Sequence, residues 1–159
     1  MNSLRIFLCM EENQVYFVTW ATYGTRISEE RYEAGMRLKE GIYLDDIERL
    51  IIWKLLMEKV NYEKYFFEAL NVLSDHCHAV LWCRNENQLK RVIHKLKGYS
   101  SYRYSRQLKQ SVAGEGRQNK LWAKSFSSTL LENEKRFNNT VEYVRNNHLK
   151  HGLLAIECL

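Results

Sequence analysis

Strand-like and helix-like segments follow one another as β-α-β-β-α-β-α along the 159 residues, and that order predicts an α+β fold. The first six elements match a ferredoxin-like split β-α-β pattern: an antiparallel sheet with helices on one face, with a C-terminal helix to follow. Two further observations support this. Short runs rich in β-branched and aromatic residues alternate with longer runs of helical period. The 45% hydrophobic and 13% aromatic content can fill one core, and the length favours a single domain over residues 1–159.

Residues 1–13 read as a loosely held leader. "QVYFVTWAT" (Gln14–Thr22) has the composition of a strand, and the polar, glycine-punctuated residues 23–41 that of a loop. "LDDIERLIIWKLLMEKVN" is helical: Asp45 or Asp46 can cap it, and acids fill its first turn. Ile47, Leu50, Ile51, Leu55 and Val60 share a side that Ile52, Trp53, Leu56 and Met57 widen. "YFFEALNVLS" and "CHAVLWCR" are strands separated by Ser74-Asp75. "ENQLKRVIHKLKGYSSYRYSRQLKQ" is a second helix, striped by Leu89, Val92, Ile93 and Leu96, with an interruption expected near Gly98. "SVAGEGRQNK" is a loop and "LWAKSFSSTLL" a fourth strand. "NEKRFNNTVEYVRNNHLKHG" is a third helix, stopped by Gly152.

The net charge of +5 is local in origin. Between Arg84 and Lys124 there are 11 Lys and Arg against Glu86 and Glu115, leaving 13 basic against 17 acidic residues elsewhere. Such a patch, interleaved with tyrosines, suits phosphates and unpaired bases; a solvated helix face is the plainer meaning. The four cysteines, Cys9, Cys77, Cys83 and Cys158, form no C-x-x-C pair. No signal peptide opens the chain, and no apolar run approaches the roughly 18 residues of a membrane span. A reduced, cytoplasmic protein with no membrane partner is expected.

"SDHCHAVLW" raises the sharpest chemical question. On a strand, His76 and His78 share a face and Cys77 takes the other. Two imidazoles so placed can ligate one metal, though they make an incomplete site; they can equally be surface residues or hydrogen-bonded partners of a tyrosine. A zinc site built with a cysteine is disfavoured, because Cys77 and Cys83 share the opposite face. In "VEYVRNNHLKHGL", Tyr143 and Asn147 lie one helical turn apart. A tyrosine hydroxyl can be a nucleophile and an amide oxygen a ligand; alternatively Tyr143 simply packs at the sheet edge.

Four stretches, in this order, resemble the HUH-type single-tyrosine transposases, the IS200-like and REP-associated tyrosine transposase superfamily. "VYFVTWATYGTR" is similar to the first strand and loop of that family, and "NVLSDHCHAVLW" to its His-x-His strand. "LWAKSFSSTLLENEKRF" is similar to its tryptophan strand, and "EYVRNNHLKHGL" to its Tyr-Ile-x-x-Asn-Pro-x-x-x-Gly-Leu signature. Ser74 and His148 stand where the family usually has proline.

The resemblance implies roles. His76 and His78 match metal ligands, Asn147 a third, amide ligand, and Tyr143 the nucleophile. The implied cofactor is a divalent metal, Mg²⁺ or Mn²⁺. The implied substrate is single-stranded DNA with hairpin or palindromic ends, cleaved and rejoined through a 5′-phosphotyrosine. The resemblance leaves open a homodimer exchanging its tyrosine helix or a monomer. Lys90, Arg91, Lys95, Lys97, Tyr99, Tyr102, Arg103 and Arg106 are the DNA-binding candidates. The alternative is a catalytically inactive or domesticated nucleic-acid-binding protein of the same fold.

Overall fold

A computed structural model describes residues 13–25, 41–111 (without the side chains of 108–111) and 120–156. The leader 1–13 therefore lies almost wholly outside the described residues, as do residues 26–40 of the first loop and 112–119 of the glycine loop. The elements are β1 (Gln14–Ala21), α1 (Asp46–Tyr62), β2 (Phe67–Val72), β3 (His76–Cys83), α2 (Glu86–Ser111), β4 (Ser127–Leu130) and α3 (Glu134–Lys150), in the order the sequence predicts. The sheet order is β2-β3-β1-β4, and every pair is antiparallel.

Strand parity divides the side chains between two layers. Tyr16, Val18 and Trp20 of β1 join Cys77, Ala79, Leu81 and Cys83 of β3 in the larger core, under Ile52, Leu55, Leu56 and Val60 of α1 and Leu89, Val92, Ile93 and Leu96 of α2. The other face carries Val15, Ala69 and Val80, which pack with Val141 and Val144 of α3. The helices of the split β-α-β unit thus lie on one face, and the C-terminal helix covers the other. Each fully buried aliphatic side chain contributes about 1.5–3 kcal/mol, so packing, not helix propensity, holds α1 and α2 in place.

The helix starts follow their caps. The Asp45 side chain accepts from the Glu48 amide at 2.8 Å while Glu48 accepts from the Asp45 amide at 3.0 Å, a capping box. Asn133 caps α3 through the Arg136 amide. Three expectations fail. α2 runs unbroken through Gly98, whose missing side chain faces open space, so nothing in the packing forces a break there. Ile47 is 71% exposed, whereas Arg49 is fully buried. The Arg49 guanidinium reaches the Val72 carbonyl at 2.9 Å and the Leu154 carbonyl at 3.0 Å, and pairs with Asp46. The buried Val72 carbonyl and the Leu154 carbonyl thus draw the charged residue inward and turn Ile47 to solvent. The fourth strand is also shorter than "LWAKSFSSTLL": Trp122 makes only an isolated bridge to Thr22 before β4 begins.

Candidate active site

β3 brings His76 and His78 to the face covered by α3, and both are buried, with their Nε2 atoms 3.0 Å apart. Each ring is held from behind. Nδ1 of His76 meets Asp75 Oδ1 at 2.5 Å, and Nδ1 of His78 meets Thr19 Oγ1 at 2.8 Å. Thr19 reaches His78 because β1 and β3 pair in a register that sets the two residues opposite each other. Phe17, two positions back on the same face of β1, stacks on the His78 ring at 5.3 Å.

α3 presents a row at i, i+4 and i+8: Tyr143, Asn147 and His151. The Tyr143 ring lies 5.5 Å from that of His78, and the His151 ring 5.4 Å from that of His76. Asn147, between them, therefore faces the histidine pair. It is 1% exposed, and its side-chain nitrogen has no hydrogen-bond partner among the described residues. The helix is anchored where it crosses the sheet: Asn71 Nδ2, opposite His78 on β2, donates to the Val144 carbonyl at 2.8 Å.

These residues suit a divalent cation. Two nitrogens each about 2.1 Å from one ion, at a right angle, are about 3.0 Å apart, which is the spacing of the Nε2 pair. Oxygen partners on both Nδ1 atoms are the usual support of a ligating histidine. No three His, Cys, Asp or Glu side chains among the described residues form a metal-holding group, so a third ligand from among those residues is of another type. The orphaned Asn147 amide is one: its oxygen and nitrogen exchange places by a half-turn of the side chain. Cys77 and Cys83 are excluded, since both sit in the opposite core. Burial pushes the Cys77 thiol well up and the Cys83 thiol to about 12, so neither is poised as a thiolate.

Tyr143 remains 38% exposed beside a groove of about 340 Å³ lined by Asn139, Glu142, Tyr143, Asn146 and Lys150. The Lys150 Nζ stands 4.6 Å from the centre of the Tyr143 ring.

The basic helix is not part of this constellation, because the apolar stripe of α2 belongs to the core on the other side of the sheet. One candidate is withdrawn from the DNA-binding set. Lys97 is buried, and its Nζ donates to the carbonyls of Ala123, Lys124 and Ser125 at 2.6, 3.0 and 3.1 Å. Burial holds its ammonium below the usual lysine range. Others are tied to acids: Lys90 to Glu86, Lys95 to Glu63, and the Tyr99 hydroxyl to Glu58. The Glu58 hydrogen bond raises the Tyr99 pKa, and hydrogen bonds from Lys59 and Lys95 lower that of Glu63. Arg91, Tyr102, Arg103 and Arg106 stay exposed, Arg106 donating to the Tyr102 hydroxyl at 2.9 Å.

The fold and site define an α+β domain whose sheet offers a buried histidine pair to a tyrosine helix. The model of the IS200-like transposases matches residues 40–147, more than half of the chain, and the protein belongs to that family. Among solved structures it is similar to a REP-associated tyrosine transposase bound to a REP hairpin. That likeness has 14% identity and a TM-score of 0.54, and covers 89% of this chain and 70% of the other. It is also similar to a Deinococcus radiodurans protein assigned as a transposase, at 16% identity and a TM-score of 0.47, over 90% of this chain and 93% of that one. No protein of curated function matches. No helix among the described residues is long and apolar enough to cross a membrane.

Proposed function

We propose that the protein cleaves and rejoins single-stranded DNA, with Tyr143 as the nucleophile and His76, His78 and Asn147 as ligands of a divalent cation. The observation that carries this reading is the placement of the Tyr143 ring 5.5 Å from His78, whose Nε2 is paired with that of His76. Membership of a transposase family supplies the reaction class.

In this reading the Tyr143 oxygen attacks a backbone phosphorus as its proton leaves. The bond to the 3′-oxygen breaks, and the products are a 5′-phosphotyrosine and a free 3′-hydroxyl. Reversal by a 3′-hydroxyl rejoins the strand without ATP, because the ester bond is exchanged and not hydrolysed. The cation, Mg²⁺ or Mn²⁺, would offset phosphate charge. Imidazole ligands favour Mn²⁺ of the two. The protein's own part is positional. The contacts of Phe17 and His78 with the Tyr143 ring, and the cation of Lys150 beside it, orient the phenol at the rim of the groove. Hairpin-ended DNA is the proposed substrate class, since the REP-associated structural relative is bound to a hairpin. Such a reaction belongs with cytoplasmic DNA.

The test is a covalent-adduct assay with labelled single-stranded hairpins in Mn²⁺ or Mg²⁺, resolved on a denaturing gel. Wild-type protein is expected to form an adduct, and Tyr143→Phe none. Equal adduct from Tyr143→Phe would remove Tyr143 from the role. Absence of adduct with the hairpins flanking the protein's own gene would favour a binding protein without catalysis.

A further inference from the structure

We propose that Thr19, His78, His76 and Asp75 form a directed hydrogen-bond chain that satisfies the facing nitrogens of the histidine pair without a cation, and that cation binding reverses the sense of its first link, so that Thr19 is a positioning residue for His78. The second half of this inference rests on the metal reading above.

The direction of the chain follows from what each group can do. An ionised carboxylate only accepts, so the 2.5 Å contact with Asp75 puts a proton on Nδ1 of His76 and leaves a lone pair on its Nε2. That lone pair faces Nε2 of His78 at 3.0 Å in a buried place, where two opposed lone pairs would repel. The pair is satisfied when His78 carries its proton on Nε2 and donates it to His76. Nδ1 of His78 is then an acceptor, and the Thr19 hydroxyl, 2.8 Å away, is the donor it meets. The chain runs from Thr19 through His78 and His76 to Asp75, each group donating to the next.

A cation held by both histidines needs both Nε2 lone pairs. His76 already offers its own. His78 has to carry its proton on Nδ1 instead, and that N–H, in a residue only 7% exposed, requires an acceptor. The Thr19 oxygen supplies it by turning its hydroxyl hydrogen away. The proton changes nitrogens within one ring and none is lost from the pair. A half-turn of the His78 ring is an unsuitable substitute, because Phe17 stacks on one side of it and Tyr143 packs at 5.5 Å. Only a side chain that both donates and accepts serves both states, so serine can replace Thr19 and valine cannot. Asp75 holds His76 in one tautomer throughout.

The experiment is long-range ¹⁵N–¹H NMR of the histidine rings, first in metal-free protein and then with Zn²⁺ or Mg²⁺, which leave the spectrum undisturbed by paramagnetism. Metal-free His78 is expected as the Nε2–H tautomer and His76 as Nδ1–H; with cation, His78 becomes Nδ1–H. By isothermal titration, Thr19→Val should lose about 10- to 100-fold in cation affinity and Thr19→Ser stay within about threefold. The amide spectrum of each variant reports whether it is folded. Metal-free His78 found as Nδ1–H overturns the chain, and wild-type affinity in folded Thr19→Val overturns the role of Thr19. If wild-type protein binds neither Zn²⁺, Mg²⁺ nor Mn²⁺, the metal reading and the reversal fall together. The metal-free tautomers, measured independently, still decide the chain itself.

Discussion

Lys97→Met is expected to lower stability and leave DNA binding as it was. The ammonium it removes caps three successive carbonyls at 2.6, 3.0 and 3.1 Å, where the chain passes from Trp122 towards β4. A hydrogen bond to a charged group contributes about 1.5–3 kcal/mol. The three bonds share one ammonium, and Lys124 and Ser125 are exposed enough for water to replace it. The expected loss is therefore about 2–3 kcal/mol and not three times the single value. Methionine keeps the aliphatic contacts, so the loss reports the ammonium. At this chain length each kcal/mol moves Tm by about 2–4 °C, so Tm should fall by roughly 4–12 °C. In a Tyr143→Phe background, single-strand affinity and its salt dependence should match the parent, whereas losing a phosphate contact would reduce the log–log salt slope by about 0.7. The pH dependence gives a second handle. Burial lowers the Lys97 pKa from its ordinary 10.5, so between the folded and unfolded values the unfolded chain binds more protons. Wild-type stability therefore gains with rising pH in that window, ending near 10.5, and Lys97→Met should lack the gain. An unchanged Tm together with a reduced salt slope would refute the structural role and return Lys97 to the DNA-binding set.

Arg49→Met should cost about 1–3 kcal/mol in urea unfolding, because it leaves the buried Val72 carbonyl unpaired while water can reach the Leu154 carbonyl, and Asp46→Asn should cost under about 1 kcal/mol because Asp46 is 42% exposed. Gly152→Ala should cost about 1–2 kcal/mol by thermal melting: the φ of 63° is unfavourable to any L side chain, although no atom stands in the way. Cys77 and Cys83 should resist iodoacetamide at pH 8 in the folded protein and react on unfolding, since burial keeps both as thiols; rapid labelling of either of these two in the native protein, located by peptide mass spectrometry, would contradict their placement.

The parts of the site legible in the sequence are those governed by local geometry. Strand parity alone puts His76 and His78 on one face and Cys77 on the other, and helical spacing alone pairs Tyr143 with Asn147. What stayed hidden depends on distant partners. Thr19 lies 59 residues from His78, and only the β1–β3 register brings them together. His151 was within reach of the spacing argument, being one turn past Asn147, but nothing local says that α3 crosses the sheet with that row facing His76. The basic run was visible as charge, but not which of its members distant partners take up. The acids that occupy Lys95 and Tyr99 come from the C-terminal end of α1 and the residue that caps it, more than 30 residues earlier, and the carbonyls that take Lys97 lie 26 to 28 residues later. Ile47 was misplaced for the same reason: the carbonyls that draw Arg49 inward in its stead belong to β2 and to the segment after α3.

The site holds its geometry without proline at either flanking position. A proline in a compatible place contributes about 0.4–1 kcal/mol, chiefly by restricting the unfolded chain. At Ser74 the native backbone is instead pinned directly. The Ser74 carbonyl accepts from the Leu44 amide at 2.7 Å, and the Asp75 carbonyl from the Thr22 amide at 2.8 Å and the Thr22 hydroxyl at 2.9 Å. At about 1 kcal/mol each, these bonds hold Asp75 where its carboxylate meets His76, and they need no proline at 74 to form. At His148 the consequence is larger. A proline there would remove an amide and press on the Val144 carbonyl, which already serves Asn71. With histidine the helix continues to Lys150. It closes in a Schellman turn: the Gly152 amide donates to the Leu149 carbonyl at 3.2 Å and the Leu153 amide to the His148 carbonyl at 3.0 Å. That last turn carries His151 to within ring contact of His76.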